Sequence, residues 1–450
     1  MAQLTGNRIE MRLTRKLTIT ALCSSFLIPC PAVASSIDPA LMTLPKEAPA
    51  SASAMSLTAV FDETLMSSPR AANLRAQLGI SQAAYAQALT FSNPSFFYLE
   101  DTAQRAKQVG ASVPLEAPWK LAFRLLFAKA QVKLADIEIQ KNLWQLRANV
   151  RRAYLDVVMA KETCETLEEL QKLSTELREV AQKRFDAEDV ARYDVERASL
   201  ASMQAEADLK QSLKKLDQTQ ERLTVILGRD YRKVVEVQHL PHAYQLRVEE
   251  NELLPNFQKP LPTLENVVND GLKNRLDLKV VEQRLATNRA GFRSTVASIL
   301  PNTQLNVGSS YSGNPPDGPA TRGYFIGVTQ ELPLLNFQQG ELARLKAIKL
   351  QLTRELKATQ NTVTEEVIVA YQQLAAARER VELYQKQILP TSDRVARMAR
   401  IGYEAGQNDM TSTLAAQQAN IQTKVSYLDS VVSYQQSLTE LEQAIGHPLI

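Results

Sequence analysis

The sequence is poor in the residues that interrupt helices and in those that most often carry catalysis. Glycine accounts for 15 of the 450 residues and aromatic residues for 6%, and there are three histidines and three cysteines. The small histidine and cysteine counts leave little material for zinc or thiol chemistry. The sequence also contains no nucleophile elbow, no phosphate-binding glycine loop and no metal triad. We therefore predict no catalytic residue, no cofactor and no bound metal, and we expect long helices instead.

The excess of positive charge lies entirely at the N-terminus. Four of the 52 Lys and Arg residues and one of the 49 Asp and Glu residues fall in residues 1–34, so the rest of the chain carries 48 of each sign. In this segment a basic start precedes an apolar run, Leu17 to Ile28, and then Ala32-Val33-Ala34, which is typical of a cleaved secretory signal. The run is shorter than the roughly 20 residues that a membrane span needs. We predict a signal peptide at residues 1–34 and no nucleic-acid partner for the neutral remainder.

The cysteines and histidines offer only weak signals. Signal cleavage would leave Cys164, so no disulfide is expected, and its place on an apolar helix seam predicts a small buried side chain. Cys30 follows a proline in a sequence that faintly resembles a lipoprotein box, and lipidation there is the alternative to simple cleavage. His239 and His242 have no third ligand nearby, and we interpret them as structural.

The exported part of the chain is a tandem duplication. An Ala, Pro and Ser-rich linker at residues 35–56 is followed by landmarks that recur at offsets of 207 to 218 residues. We predict a first repeat at residues 57–240, a linker at 241–262 and a second repeat at 263–450. The paired landmarks are Leu57 with Leu264, Pro94 with Pro301, Tyr154 with Tyr371, and Gly228 with Gly446.

Each predicted repeat contains a helix, two short strands, a very long helix and a return helix. Leu121–Asp186 has neither proline nor glycine, and its apolar residues are spaced by three and four, which is typical of a coiled coil. Pro390 should end or kink the corresponding helix, Glu341–Tyr403. The other predicted elements are helices at Pro69–Ser92, Leu264–Ile299 and Met410–Ile445, and strands at Ser95–Glu100, Gly110–Glu116, Thr303–Ser309 and Tyr324–Leu332.

The four short strands leave two architectures open. A hairpin with open edges is unstable in hydrocarbon, and membrane barrels begin near eight strands, so one chain cannot close a barrel. An oligomer of the chain would supply enough strands. The alternative is a soluble periplasmic coiled coil that carries two hairpins.

The whole exported chain resembles the TolC family of outer-membrane efflux ducts. The resemblance rests on the duplicated order of helix, hairpin, long helix and return helix. Local matches lie at the helix turns, Arg184–Ala187 with Asp194–Ala198 and Gly402–Gly406, and at the helix ends, Leu223–Gly228 and Leu441–Gly446. Within the family, the segments similar to the heavy-metal (cobalt–zinc–cadmium) branch are Asn93–Glu100, Val113–Lys120 and Glu331–Gly340.

The resemblance implies a mainly α-helical fold with a small β part. In such a duct the long coiled-coil helices form a periplasmic α-barrel, and four strands per chain complete a trimeric 12-stranded β-barrel in the outer membrane of a Gram-negative bacterium. The implied function is the exit duct of a tripartite efflux system, with an inner-membrane RND-type pump, a periplasmic adaptor and outer-membrane lipid as partners. Heavy-metal cations are the first candidate cargo. The alternatives are a periplasmic structural or adaptor coiled coil, and a duct of the same family for drugs or secreted polypeptides.

The resemblance also implies that the helix turns hold a gate. Asp194 and Tyr403 match family positions near the periplasmic tip, and we expect a hydrogen bond from the Tyr403 hydroxyl to the Asp194 carboxylate as part of a latch. Asp194 is also expected to be the N-cap of the return helix. Asp409 would either form a ring of symmetry-related carboxylates that favours cations or be a solvated turn residue.

The remaining candidate tip residues depart from the family pattern or mark its turns. Asn408 stands where an arginine latch can occur, and Ser412 stands where some members carry an aspartate. Glu188 stands where the family often has glycine. The candidate adaptor-contacting residues of the two turns are Phe185, Glu188 and Gly406.

Overall fold

A computed structural model describes residues 55–101, 106–237, 254–257, 259–312 and 321–449. The predicted signal peptide, Cys30, His239 and His242 lie outside these residues. Within the described segments, each helix is too polar or too short to traverse a bilayer.

The described residues of the first half form four helices and two strands. Helices α1 and α2 precede strands β1 and β2, and the long helix α3 is followed by the return helix α4. Their bounds are α1 Leu57–Ser67, α2 Pro69–Ala88, β1 Ser95–Asp101, β2 Ala106–Leu115, α3 Pro118–Asp186 and α4 Arg192–Leu227.

The second half repeats this order with one additional break. Helices α5 and α6 precede strands β3 and β4, and the outgoing helix is divided into α7 and α8 before the return helix α9. The bounds are α5 Leu264–Asn274, α6 Leu276–Ala297, β3 Thr303–Ser312, β4 Thr321–Thr329, α7 Gln339–Leu383, α8 Leu389–Glu404 and α9 Met410–Ile445.

Helix α3 confirms the prediction of one uninterrupted long helix. It has 69 residues, which at a rise of 1.5 Å per residue gives a length of about 100 Å. Pro118 occupies its first turn, where the missing N–H would have no intrahelical acceptor. The predicted seam is buried from Leu146 to Cys164, and Cys164 Sγ lies 3.1 Å from Ser212 Oγ on α4. Small seam residues therefore bring α3 and α4 into close contact.

Pro390 interrupts the second long helix as predicted. A π-helical segment, Tyr384–Ile388, joins α7 to α8, and Pro390 lies in the first turn of α8. Proline removes one backbone donor and its ring crowds the preceding turn, so the helix widens locally instead of ending.

Two helices precede the hairpin in each repeat, whereas one was predicted. The predicted helix Leu264–Ile299 is interrupted at Arg275, whose backbone leaves the helical region with φ −57° and ψ 123°. Ser68 has nearly the same conformation between α1 and α2, with φ −67° and ψ 130°. The helix predicted at Pro69–Ser92 ends at Ala88. Arg275 is held by Asp277 and Glu366, each at 2.7 Å, and these ion pairs fix the break.

Each break is filled by a glycine from the end of a return helix. Gly228 and Gly446 are left-handed C-caps with φ of 84° and 87°. A Cβ on Gly228 would lie 2.5 Å from Pro69 Cδ, and one on Gly446 would lie 2.9 Å from the Asn274 carbonyl oxygen. Gly228 and Gly446, which match in the sequence repeat, therefore make equivalent contacts in the two halves.

One antiparallel sheet combines the strands of both halves, in the order β1-β2-β3-β4. The central pair joins the repeats, with Gly110 opposite Gly308 and Ala111 opposite Val307. Because paired residues share a face, the register separates the strand residues into two sets. One face carries Phe96, Tyr98, Val109, Val113, Leu305, Val307, Tyr324, Ile326 and Val328, and the other carries Ser95, Gln108, Ser112, Gln304, Asn306, Ser310, Thr321 and Thr329.

Candidate functional site: the two helix turns

The two turns between the long and return helices have the same backbone construction. In the first, the amide of Asp189 donates to the Arg184 carbonyl and the amide of Glu188 donates to the Phe185 carbonyl, both at 2.9 Å. In the second, the amide of Gln407 donates to the Gly402 carbonyl at 2.8 Å. This paired pattern ends a helix by placing one residue in the left-handed region.

That left-handed position is filled differently in the two repeats. Gly406 has φ 72° and Glu188 has φ 59°. Glycine adopts this conformation freely, whereas a residue with a Cβ is destabilised by roughly 1–2 kcal/mol. Glu188 is exposed, so the strain in its backbone is not offset by burial of its side chain.

The N-caps of the return helices are also unequal. Asp409 caps α9, and its carboxylate accepts from the Ser412 amide at 3.3 Å. In α4 the N-cap is Ala191, which offers no side-chain acceptor. The expectation that Asp194 caps α4 is therefore wrong. Asp194 lies in the first turn of the helix instead, where its negative charge interacts favourably with the helix dipole.

The expected hydrogen bond from Tyr403 to Asp194 is not formed. Tyr403 is 1% exposed, and its hydroxyl has no hydrogen-bond partner among the described residues. The ring is enclosed by an apolar cluster that spans both repeats and includes Leu177, Ala181, Ala198, Met410 and Leu414. Burial is the main reason that the pKa of Tyr403 is raised, and the nearby Asp194 carboxylate raises it further. Packing, and not the hydroxyl, holds this tyrosine.

Arg184 makes the contact that the sequence analysis had assigned to Asp194. Its guanidinium carbon lies 4.9 Å from the centre of the Tyr403 ring, and its Nη1 donates to the Tyr403 carbonyl at 3.0 Å. The same guanidinium forms an ion pair with Asp189 at 2.7 Å. The hydrogen bond to Asp189 is the largest cause of the raised pKa of Arg184. Arg184 thus connects the first turn to the second within one chain.

Two further arginines connect the halves near the turns. Arg197 Nη1 donates to Thr411 Oγ1 at 2.8 Å, and Arg400 Nη2 lies 3.2 Å from Glu176. The sequence signal for these contacts was present, because arginine occurs within a few residues of each turn, but spacing alone does not identify the partner.

Asn408 stabilises the second turn by contacting the end of the preceding helix. Its Nδ2 donates to the Ala399 carbonyl at 3.4 Å, and its side chain occupies the space beside Gly402, where an added Cβ would lie 2.3 Å from Nδ2. Ser412 Oγ donates to the Asp409 carbonyl at 3.0 Å. Asp409, Asn408 and Ser412 therefore lie together at the exposed start of α9, whereas Tyr403 lies in the core beneath them.

The candidate adaptor-contacting residues lie at the outer end of the same region. Glu188 and Gly406 are exposed, and Phe185 is half-buried. The exposed acidic residues of the first turn are Asp186, Glu188 and Asp189, and those of the second turn are Glu404 and Asp409. Both turns of the chain therefore present exposed carboxylates.

A comparison with family models matches residues 267–447 to the family described as outer membrane efflux protein. The chain is 23% identical over 376 residues to the cobalt-zinc-cadmium resistance protein CzcC of Cupriavidus metallidurans, which covers 82% of this chain and 85% of the relative. These matches confirm the resemblance drawn from the sequence, including its similarity to the heavy-metal branch.

Solved structures give the same result for the fold. The outer membrane channel CmeC of Campylobacter jejuni matches with a TM-score of 0.66 at 15% identity, covering 91% of each chain. The open state of the outer membrane channel MtrE of Neisseria gonorrhoeae matches with a TM-score of 0.63 at 16% identity, covering 87% of this chain and 89% of that one. The predicted fold class, mainly helical with a small β part, is confirmed.

Proposed function

We propose that this chain, which has the fold of the outer-membrane efflux channels, is the exit duct of a tripartite efflux system. The observation that carries the proposal is the two-faced sheet. On one face Tyr324, Ile326 and Val328 are 79%, 78% and 68% exposed, although they are large and apolar. Such a row is unfavourable in water and is expected where a sheet faces lipid.

The opposite face suits a water-filled lumen. It carries Asn306, Ser310, Thr321 and Thr329, and alternation of apolar and polar residues is the pattern of membrane barrels. Four strands have two open edges, β1 and β4. Three copies joined edge to edge would close a barrel of 12 strands, which supports a homotrimer in the outer membrane of a Gram-negative bacterium.

A pair of adjacent substitutions tests this membrane placement. Ile326→Arg puts a charge on the apolar face, where it costs about 2–4 kcal/mol near the bilayer centre. Gly327→Arg is the matched control, because it lies on the polar face and an added Cβ there meets no atom within 4 Å. We expect Ile326→Arg to abolish the trimer in outer-membrane fractions and Gly327→Arg to preserve it. Equal behaviour of the two variants, or wild-type protein in the soluble periplasmic fraction, would favour the periplasmic coiled coil.

Heavy-metal cations are the proposed cargo. The similarity to CzcC supports this choice, and a passive duct does not need to bind its cargo tightly. The test is a deletion strain that carries either an empty plasmid or the gene. Restored resistance to zinc, cobalt or cadmium would support metal export, whereas restoration limited to antibiotics would assign the duct to drugs.

A periplasmic adaptor and an inner-membrane RND-type pump are the proposed partners. Glu188 and Gly406 stand at the exposed turns, where an adaptor would meet the tube. A photo-crosslinking residue at either position should capture the adaptor in cells. The same residue at Glu221, which is exposed far along α4 from the turn, should capture little and serves as the control.

A further inference from the structure

Two phenylalanine rings lie near each other on the polar face of the sheet. Phe97 on β1 and Phe325 on β4 lie on this face, in the row that also contains Gly110 and Gly308. Their ring centres are 6.0 Å apart with an interplanar angle of 42°. Two intervening strands would separate upright side chains by about three strand spacings of 4.8 Å, so the rings must lean toward each other.

The two glycines make this arrangement possible. A Cβ on Gly110 would lie 2.6 Å from Cζ of Phe97, and one on Gly308 would lie 2.7 Å from Cζ of Phe325. A Cβ on Gly308 would also lie 2.3 Å from the Val109 carbonyl oxygen. The rings therefore lie over the bare backbone of the central strands. One side of each ring is covered by the sheet, and both rings are half-buried.

The strand residues beside the pair on this face are uncharged. The charged strand residue that the structure describes on this face is the carboxylate Asp101, four residues along β1 from Phe97. Gln108, Ser112 and Asn306 contribute neutral polar groups around the rings. The face of an aromatic ring attracts cations, and attracts them more strongly when the cation also has an apolar surface that leaves water. No Lys or Arg side chain on these described strand residues competes for the rings.

We propose that Phe97 and Phe325 form an aromatic belt in the lumen that binds organic cations with apolar bodies during their passage. The inference rests on the proposed function, since the polar face becomes a lumen only in the closed barrel. Three chains would place three such pairs around the passage. Phe97 and Phe325 then determine which large cations are retarded in the barrel, whereas small hydrated ions pass the neutral wall.

Tetraphenylphosphonium is the probe for this belt, added on the barrel side of channels formed by the full chain in planar bilayers. We expect it to reduce the potassium current. The double variant Phe97→Leu/Phe325→Leu, which keeps apolar volume and removes the π faces, should need about fivefold more probe for the same block. Tyr324→Leu, on the opposite face of the same strand, is the matched control and should leave the block unchanged.

Equilibrium dialysis of the probe against the detergent-solubilised trimer supplies a second measurement that does not depend on an open tip. The same fivefold weakening is expected in the double variant. Wild-type channels that conduct potassium but neither bind the probe nor are blocked by it would overturn the belt alone, as would a double variant with unchanged binding. A wild-type chain that forms no channel and no trimer would overturn the proposed function as well.

Discussion

The guanidinium of Arg184 stacks on the ring of Tyr403 and bonds to the Tyr403 carbonyl, and so joins the two helix turns of one chain. The first turn ends a helix of the first repeat and the second turn ends a helix of the second. Movement of one turn away from the other must break this contact. Arg184 is therefore the residue whose loss should loosen the tip most directly.

Arg184→Ala should raise the current through the closed channel, because it removes the stacking, the hydrogen bond and the ion pair with Asp189 together. Tyr403→Phe should leave that current unchanged, since the hydroxyl that it removes has no partner among the described residues. Single-channel recording compares the two variants. A leak in Tyr403→Phe as large as in Arg184→Ala would instead support a latch that depends on the Tyr403 hydroxyl.

Glu188→Gly should stabilise the first turn by about 1 kcal/mol, because glycine relieves the left-handed strain at φ 59°. Hydrogen exchange of the Asp189 amide, which donates to the Arg184 carbonyl, should slow by about fivefold, which corresponds to that free energy. Gly406→Ala is the opposite substitution at the equivalent position, with φ 72°, and should speed exchange in the second turn. Unchanged exchange in both variants would show that neither backbone is strained.

Asp409→Asn separates the capping role of this residue from its proposed charge in the pore. Asparagine caps a helix about as well as aspartate, so α9 should begin normally. If three Asp409 carboxylates form a ring, the preference for cations over anions should fall, as measured by reversal potentials in a salt gradient. A reversal potential that does not change would assign Asp409 to capping only.

The pH dependence of Asp409 follows from its hydrogen bonds. Bonds from Ser412 are the main cause of its lowered pKa. A carboxyl group whose pKa is lower in the folded state stabilises that state above its unfolded-state pKa of about 4, and this contribution is lost as the pH falls through the lower folded-state value. Protection of the first α9 amides should therefore persist to below pH 4 and should then decline. A decline in wild type near pH 6 would contradict this assignment.

Arg151 and Glu442 connect the repeats through a buried ion pair at 2.6 Å, with side chains 14% and 8% exposed. Arg151→Met leaves a carboxylate in the interior and should destabilise the fold by about 3–5 kcal/mol. The double variant Arg151→Met/Glu442→Met should recover most of this loss, since neither charge remains. Thermal unfolding in detergent compares the stabilities of the wild type, the single variant and the double variant. A double variant less stable than the single one would show that Glu442 stabilises the fold through contacts other than Arg151, such as the Leu449 amide that donates to its Oε1 at 3.3 Å.

The sequence was sufficient to predict the long elements, because their signals are local and strong. The absence of proline and glycine predicted α3, and the three-and-four spacing predicted the buried seam that contains Val150, Val157 and Cys164. Glycine at positions 228 and 446 predicted both helix ends. The position of Pro390 predicted a break, although it did not indicate a π-helical segment.

The missed features depend on contacts between residues far apart in the chain. The break at Arg275 carries no proline or glycine signal and is fixed by Glu366 and the end of α9. Tyr403 was expected to use its hydroxyl, but apolar residues from both repeats enclose it. Arg184 and Tyr403 are 219 residues apart, so no local pattern could connect them.

The most direct test of the central claim is the electrical behaviour of the purified chain in a planar lipid bilayer. We expect discrete conductance steps from a species that migrates as a trimer, and the loss of both steps and trimer in Ile326→Arg but not in Gly327→Arg. A wild-type protein that remains soluble without detergent and produces no steps would contradict the account.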